Sequence, residues 1–332
     1  MAKRDRWSSE KLPIKTKKQK ISKEAPLPVD SFSPEPNLDC LPDTLTLYIM
    51  GKLDIVSLVR LARTCKRFYH LHREECLWTN VDMTTLPQID VRKMKKIIEN
   101  YVSPKLQIIS IQSNFRLNRA KKPKIDGNVL DFLFKRCPSI KYLRLLNCDL
   151  SEVLKTSLSE AEPNKESSME LLNCSSLERV SLLNCNTPLL WLSGASWPIL
   201  RHLSLAHSVM TSHLDVQSIF ETKDWQGTLK SLDLTGCYRI KSFGDIKVDL
   251  SIEILNLSET NITDSLFESL PRFPCLRELY LRKCSGITNS GILKIPLLSL
   301  DLQIVDFTGN DKLSLLTVEQ LRNDMPDTEF KY

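Results

Sequence analysis

The 332-residue sequence lacks the short motifs that mark most enzymes. It has only nine glycines, and none belongs to a G-x-G-x-x-G pattern or a phosphate-binding loop. No G-x-S-x-G nucleophile elbow and no H-E-x-x-H helix occur. We therefore expect a non-catalytic protein with no catalytic residues and no cofactor.

Membrane and metal signals are also missing. No apolar run approaches the roughly 18 residues that a membrane span needs, and the first residues are charged where a signal peptide would be apolar. The ten cysteines include no C-x-x-C pair, and His202, His207 and His213 have no neighbouring ligand pattern. We expect reduced thiols, no metal site, no membrane partner and an intracellular location, in the nucleus, the cytoplasm or both.

The net charge of +6 is concentrated at one end. Residues 1–24 hold nine Lys and Arg against three Asp and Glu, a difference of six that equals the charge of the whole chain. Residues 1–37 are also rich in Ser and Pro and lack apolar periodicity, which predicts a disordered basic tail. The cluster Lys15 to Lys20 is either a nuclear import signal or a solvated tail without a specific role. Because the rest is neutral, nucleic acid is not an expected partner.

Residues 41–83 have the apolar spacing that is typical of short helices. After Pro42, which suits a first helical turn, one apolar stripe is formed by Leu45, Tyr48, Ile49 and Leu53. Asp54 can cap a second helix, which carries Ile55, Leu58, Val59, Ala62 and Cys65 on one side. A third segment contains Phe68, Leu71, Leu77 and Trp78. A unit of this size has little core of its own, so a partner is expected to cover its apolar faces.

These residues resemble the F-box family over its whole length. The resemblance is carried by Leu41-Pro42-Asp43, Leu47, Ile49-Met50, Leu53, Ser57-Leu58, Leu61, Cys65-Lys66-Arg67-Phe68 and Leu77-Trp78. Phe68 stands where the family usually has Trp. The resemblance implies docking on a Skp1-type adaptor, with contacts from Leu41, Pro42, Leu45, Ile49, Met50, Leu53 and Leu58. The alternative is a segment that only caps the structure behind it.

From residue 106 one phrase recurs, apolar at relative positions 1, 4 and 6. Its eight copies begin at Leu106, Ile140, Leu177, Leu200, Leu229, Ile252, Leu276 and Leu302. Five of the seven spacings fall in the 20–29-residue range of leucine-rich repeats. Position 9 is always small and able to form hydrogen bonds: Asn114, Cys148, Cys185, Ser208, Cys237, Thr260, Cys284 and Asn310. We expect it to satisfy buried backbone groups at a turn, which gives four cysteines a structural role.

The predicted fold class is α/β: a leucine-rich-repeat solenoid, with a curved parallel sheet inside and helices outside, preceded by a small all-helical F-box. The predicted domains are the tail at 1–37, the F-box at 38–84 and the solenoid with its C-terminal cap at 85–332. Residues 128–134 should form an outer helix, residues 149–176 an inserted loop, and a closing helix should carry Leu313, Leu315, Leu316, Val318 and Leu321.

The F-box/LRR resemblance implies a substrate receptor of a Skp1-cullin-F-box (SCF) ubiquitin ligase. The partners would be the adaptor, through it a cullin and a RING protein, and a protein substrate. Side chains at positions 3, 5 and 7 should face outward on the sheet, which gives the substrate candidates Tyr142, Arg144, His202, Asp233, Asn256, Glu278, Tyr280 and Arg282. An ordinary solvated face remains an alternative for each. Two other hypotheses stay open: a non-degradative scaffold that binds Skp1, and a nuclear protein whose tail binds nucleic acid.

Overall fold

A computed structural model describes residues 38–86, 91–112, 127–150, 174–186, 197–208, 213–241, 243, 250–269, 273–299 and 301–332. The chain divides into two compact units, Met1–Pro42 and Asp43–Tyr332. In the first unit, the described residues form one 3-10 helix, Leu38–Cys40. The predicted tail at 1–37 and its lysine cluster lie outside the described residues. Among the helices that the structure describes, none is long and apolar enough to cross a membrane.

The second unit begins with three short helices, α1 (Asp43–Met50), α2 (Ile55–Ala62) and α3 (Lys66–Leu71). Helix α2 starts at the predicted cap, because Asp54 Oδ1 accepts a 2.8 Å hydrogen bond from the Ser57 amide. Helix α3 starts in the same way at Cys65, whose Sγ accepts from the Phe68 amide at 3.4 Å. Local side-chain chemistry therefore sets where both helices begin.

The third predicted helical segment is divided. Helix α3 ends at Leu71, and a separate 3-10 helix spans Glu75–Trp78. Across this break the Trp78 indole donates a 2.7 Å hydrogen bond to the His72 carbonyl. The buried indole N–H is thereby satisfied while the ring packs in the core.

Ten short strands follow one another in a single parallel sheet, and each pairs with its neighbours in sequence. They are β1 (Asn80–Asp82), β2 (Ile108–Gln112), β3 (Tyr142–Leu146), β4 (Arg179–Leu183), β5 (His202–Ser204), β6 (Ser231–Asp233), β7 (Ile254–Asn256), β8 (Glu278–Tyr280), β9 (Ile304–Asp306) and β10 (Glu329–Lys331). Strands β2 to β9 fall in the eight repeated phrases, so the α/β repeat architecture is confirmed.

Strands β1 and β10 lie outside the eight predicted copies. Trp78, Val81 and Met83 repeat the 1-4-6 spacing with a Trp in first place, and all three are buried. At the other end, Phe330 of β10 is buried and its ring stacks at 6.0 Å on that of Phe307. Because β1 pairs with β2, the last residues of the F-box segment also begin the sheet. The boundary between residues 84 and 85 stays a prediction.

Position 9 forms a ladder of buried hydrogen bonds. From five copies the side chain donates to the position-6 carbonyl of the preceding copy: Cys185 to Leu145 at 3.4 Å, Ser208 to Leu182 at 3.0 Å, Cys237 to Leu205 at 3.1 Å, Cys284 to Leu257 at 3.2 Å and Asn310 to Leu281 at 2.8 Å. Burial raises the pKa of Cys284, so its thiol keeps the proton that it donates. The predicted structural role of this position is confirmed for these copies; Asn114 lies outside the described residues.

Helices cover the other face of the sheet. Those described are α4 (Val91–Tyr101), α5 (Gly127–Arg136), α6 (His213–Glu221), α7 (Lys223–Gln226), α8 (Leu266–Ser269), α9 (Asn289–Ile292) and α10 (Leu315–Asp324), with a 3-10 turn at Ile295–Leu297. Ile98 of α4 and Leu133 of α5 share one buried cluster with the strand residues. Helix α5 confirms the predicted outer helix at 128–134.

The predicted closing helix is present as α10, but β10 follows it and forms the edge of the sheet. Val318 and Leu321 are buried as a capping helix requires, whereas Leu315 and Leu316 are exposed at its first turn. Of the predicted inserted loop, residues 151–173 lie outside the described part of the chain.

Candidate functional site

An apolar stripe lies on and just after the first helix. Leu45, Tyr48 and Ile49 of α1, with Leu53 behind it, are between 37% and 67% exposed, and we call these four residues the α1 stripe. Their spacing places them on one side of a helix, as the sequence predicts. Soluble proteins seldom leave large side chains clustered on the surface unless something binds them.

An ion pair joins helix α1 to helix α3. Arg67 donates to Asp43 Oδ1 from Nε at 2.9 Å and from Nη2 at 2.6 Å. Lys52 lies 4.9 Å from the centroid of the Tyr48 ring and interacts with its face. The pair between Arg67 and Asp43 therefore holds the helix through residues outside the stripe.

The remaining predicted adaptor-contact residues are placed differently. Met50 and Leu58 are 1% and 3% exposed and belong to the core, where they also line a groove of about 360 Å³ with Leu53 and Trp78. In the first unit, Leu41 is half-buried and Pro42 is exposed. Leu45, Ile49 and Leu53 are thus the predicted contacts of the second unit that a partner could reach directly.

The second candidate surface is the open face of the sheet. In strands β3 to β8 the position-4 side chains are buried, while positions 3 and 5 are half-buried or exposed. The parallel register aligns position 3 in a row, Tyr142, Arg179, His202, Ser231, Ile254 and Glu278, and position 5 in another, Arg144, Ser181, Ser204, Asp233, Asn256 and Tyr280. Seven of the eight predicted substrate residues lie in these rows, and the eighth, Arg282, follows β8.

Some position-5 side chains also shape the turn after their strand. The Oδ1 atoms of Asp233, Asn256 and Asp306 accept hydrogen bonds from the amide two residues later, at 3.0, 3.1 and 3.0 Å. Such Asx turns compete with ligand binding for the same oxygen. Asp233 and Asn256 therefore have a structural role that the sequence pattern did not reveal.

Position 8 has a left-handed backbone in all seven copies in which the structure describes it. The φ angles lie between 52° and 80° at Asn147, Asn184, His207, Gly236, Glu259, Lys283 and Gly309. Asn and Gly tolerate this conformation best, and they occupy four of the seven places. The side chains form a row beside the sheet: Asn184 Nδ2 donates to Asn147 Oδ1 at 2.8 Å, and Lys283 Nζ lies 3.2 Å from Glu259 Oε1.

A charged cluster occupies the sheet face near β8 and β9. Arg282 forms an ion pair with Asp306 Oδ2, at 2.7 Å from Nε and 2.5 Å from Nη2, and the Asp306 side chain is only 1% exposed. Burial alone would raise the pKa of Asp306, but hydrogen bonds from Arg282 and Thr308 outweigh it and hold the pKa below its usual value. The Tyr280 hydroxyl donates to Glu278 Oε2 at 2.8 Å, and burial, followed by Glu278, raises its pKa.

This cluster borders a cleft of about 620 Å³. Its lining includes Thr235, Asn256, Tyr280, Arg282 and Lys331. The structure thus brings the predicted residues Asn256, Tyr280 and Arg282 together, while Tyr142, Arg144 and His202 lie on β3 and β5, away from them along the sheet. Six of the eight predicted substrate residues therefore fall into two separate groups.

Comparisons with known proteins found similarity for the F-box segment and for a longer part of the chain. A family model described as F-box-like matches residues 38–84. The chain is 27% identical over 221 residues to mouse F-box/LRR-repeat protein 12, covering 65% of this chain and 60% of that protein. The human protein of the same name is 27% identical over 209 residues, covering 61% of this chain and 57% of that protein. The chain therefore carries an F-box-like segment and is similar to F-box/LRR-repeat proteins.

The sequence itself suggests a resemblance to F-box/LRR-repeat protein 12 in the run from Leu77 to Met83, in Arg136-Cys137-Pro138 and in the segment from Asn184-Cys185 to Trp191-Leu192. The match spans about three-fifths of the length of these relatives. A solved structure, the complex of Rad7 and Elc1 in yeast, is similar at a TM-score of 0.39 and 12% identity, covering 76% of this chain and 66% of that one. At that score the likeness supports no further conclusion.

The chain also has exposed residues that the predicted site omits. Tyr48 was assigned to the stripe but not to the adaptor contacts, although it is the most exposed residue there. Arg179 occupies position 3 of its copy, so the same alternation rule that selected Tyr142 and His202 identifies it as outward-facing. Position 8 could have been recognised from the recurrence of Asn and Gly two residues after position 6.

Proposed function

We propose that this F-box/LRR protein is the substrate-recognition subunit of an SCF ubiquitin ligase. In this proposal the α1 stripe docks on a Skp1-type adaptor, through which a cullin and a RING protein are recruited. The open sheet face holds the protein substrate. The observation that carries the proposal is an exposed apolar stripe on the first helix of an F-box whose last residues are continuous with the repeat sheet.

The docking step rests on the burial of apolar area. Full burial of a side chain such as Leu or Ile contributes about 1.5–3 kcal/mol. Because Leu45 and Ile49 are 51% and 41% exposed, about half of that contribution is still available to a partner that covers each of them. Covering both would therefore contribute about 1.5–3 kcal/mol in total, and the adjacent Tyr48 adds a large amphipathic ring of the kind enriched at interfaces. A partner that buries the stripe gains affinity without disturbing the core.

The test measures binding of purified Skp1-type adaptor to the full chain carrying Leu45→Ala and Ile49→Ala together. We expect at least about tenfold weaker binding, since about 1.4 kcal/mol corresponds to a factor of ten. The matched control is Leu297→Ala with Leu316→Ala, which removes two apolar side chains that are 75% and 78% exposed at the other end of the sheet. Equal affinities for the two double variants would refute docking through the stripe.

The protein would act without chemistry of its own. Holding a substrate lysine near the ubiquitin donor raises its effective concentration, so the receptor contributes proximity and requires neither catalytic residue nor cofactor. The pairing of β1 with β2 along Asn80–Asp82 joins the end of the F-box segment to the sheet and supports such a role. We propose an intracellular location, nuclear, cytoplasmic or both, where the free thiols would remain reduced.

The alternative is a scaffold whose F-box binds Skp1 without promoting degradation. The two functions are separated by the lifetime of a protein bound to the sheet face, measured with and without cullin activity. A receptor shortens that lifetime only when the α1 stripe is intact. A bound protein whose lifetime is unaffected by Leu45→Ala and Ile49→Ala would favour the scaffold.

A further inference from the structure

The open sheet face is polarised in charge along the sheet. At positions 3, 5 and 7 of β3, β4 and β5 the side chains include two arginines and a histidine but no carboxylate. From β6 onward the same positions carry four carboxylates, Asp233, Glu278, Asp306 and Glu329, against Arg282 and Lys331. The two halves meet between β5 and β6, where Ser204 Oγ donates a 2.9 Å hydrogen bond to Asp233 Oδ2.

The basic half is built by the register of the strands. Arg144 aligns with Ser181, and Arg179 lies two residues before Ser181 on the same strand. The two arginines are therefore diagonal neighbours, about 7–8 Å apart at their backbones, and both point to the open face. Arg201 is exposed at position 2, one residue before β5, so it borders these rows, and Glu178 holds the same position in the preceding copy. Arg144, Arg179 and Arg201 are called the arginine patch.

The arginines of the patch are available for a ligand. Within the described residues, none of the three forms an ion pair, whereas Arg282 is held by the buried Asp306. The acidic residue just before β4, Glu178, pairs with Lys141 at 3.5 Å. Unpaired guanidinium groups on a surface are strong donors for carboxylates and phosphates, which they bind with two parallel hydrogen bonds.

The positive charge of the patch also affects the pKa of the neighbouring His202. Burial, and after it the positive charges of Arg179 and Arg201, hold the pKa of His202 below its usual value, with Glu178 and Glu253 opposing them. His202 is thus kept largely neutral at physiological pH and can donate one hydrogen bond without adding charge. Ser181 is directly opposite Arg144 in the register and lies two residues after Arg179 on the same strand.

We propose that the arginine patch binds an acidic, Asp- or Glu-rich extended segment of the protein substrate. The proposal rests on the proposed receptor function and names its substrate class. Charges distributed over three strands match a series of carboxylates better than one phosphate, because alternate side chains of an extended segment recur about every 6.6 Å. The acidic half of the face repels the same segment and so confines it to β3, β4 and β5.

The test uses fluorescence anisotropy with the purified full chain and labelled peptides of about eight residues, long enough to cross three strands. The probes alternate Thr with Glu, Thr with Gln, or Thr with Gln around one phosphoserine. We expect the Glu peptide to bind at least about tenfold more tightly than the Gln peptide at about 0.1 M salt. Arg144→Glu and Arg179→Glu should each weaken Glu-peptide binding by at least about tenfold.

Two controls make the same change in charge elsewhere. Lys17→Glu lies in the basic segment 1–24, and Arg92→Glu lies on α4, on the helical side of the sheet. Each should change the affinity by less than about twofold if binding is local to the patch. A loss equal to that of Arg144→Glu in either control would show bulk charge attraction and overturn the proposal.

The other outcomes are equally definite. Equal affinities for the Glu and Gln peptides would refute an acidic ligand, and tighter binding of the phosphoserine peptide would replace it with a phosphate site. Adaptor binding is measured on the same variants and depends on the α1 stripe, not on the patch. If the Glu peptide does not bind but the adaptor does, the acidic-segment proposal is refuted and the receptor function is not. If the wild-type chain does not bind the adaptor, the receptor function is refuted independently of the peptide result.

Discussion

Asn310 provides the shortest bond of the position-9 ladder. Its side chain donates to the Leu281 carbonyl at 2.8 Å and accepts from the Cys284 amide, and it is 8% exposed. Asn310→Ala leaves one buried carbonyl and one buried amide without this partner, at a cost of about 1–3 kcal/mol each. We expect the free energy of unfolding to fall by about 2–6 kcal/mol, a large part of the 5–15 kcal/mol typical of a folded protein.

The measurement combines urea unfolding with hydrogen exchange at single amides, because repeat proteins can open one end before the rest. In Asn310→Ala the Cys284 amide should exchange faster, since it loses its acceptor. Ser208→Ala removes only one bond, the 3.0 Å contact to the Leu182 carbonyl, and should cost about half as much.

The exposed Lys312→Ala serves as the control for Asn310→Ala, and surface substitutions of this kind stay within about 0.5 kcal/mol of wild type. If Asn310→Ala changed stability no more than Lys312→Ala and left the Cys284 amide protected, the ladder would contribute nothing to stability. The reasoning that assigns position 9 a hydrogen-bonding role would then be wrong for this copy.

Two further predictions concern backbone strain and pH. Gly236→Ala should destabilise the protein by more than about 1–2 kcal/mol, because φ is +70° and the new Cβ would lie 2.2 Å from His207 Nδ1, whereas Gly227→Ala, with nothing within 4 Å, should be neutral or slightly stabilising in thermal unfolding. The stabilisation from Asp306 should be complete above the pKa of its unfolded state and be lost as pH falls through the lower folded-state pKa. Unfolding measured from about pH 7 to about pH 3 should therefore show the advantage of wild type over Asp306→Asn shrinking with acid; a difference that is constant with pH would exclude a contribution from its pairing with Arg282.

Side-chain chemistry at single positions made much of the fold predictable. The 1-4-6 spacing predicted strands β2 to β9, and Asp54 marked the start of α2. The spacing recurs in each copy because the position-4 side chain points inward between outward-facing neighbours, and the side chains of positions 1 and 6 must reach the same core. Strand β1 was missed because its copy of the phrase begins with Trp78 inside the F-box, where the helical pattern dominates.

The candidate sites depended more on tertiary structure. The sequence determined which side chains face outward, but it could not tell that Met50 and Leu58 would be buried by other elements while Leu45 and Ile49 remain exposed. Periodicity shows which residues share one side of a helix, but it does not show which other element packs against that side.

What the sequence alone determined is the repeat, its buried positions and the F-box beside it, because these follow from periodicities within short segments. What only the tertiary structure decided is which residues of different copies meet. The parallel register aligns Arg144 with Ser181 across thirty-odd residues of intervening chain, and it places Arg282 on the buried carboxylate of Asp306. Spacings between copies vary with the length of each connection, so only strand pairing, which satisfies backbone hydrogen bonds, brings such side chains into register.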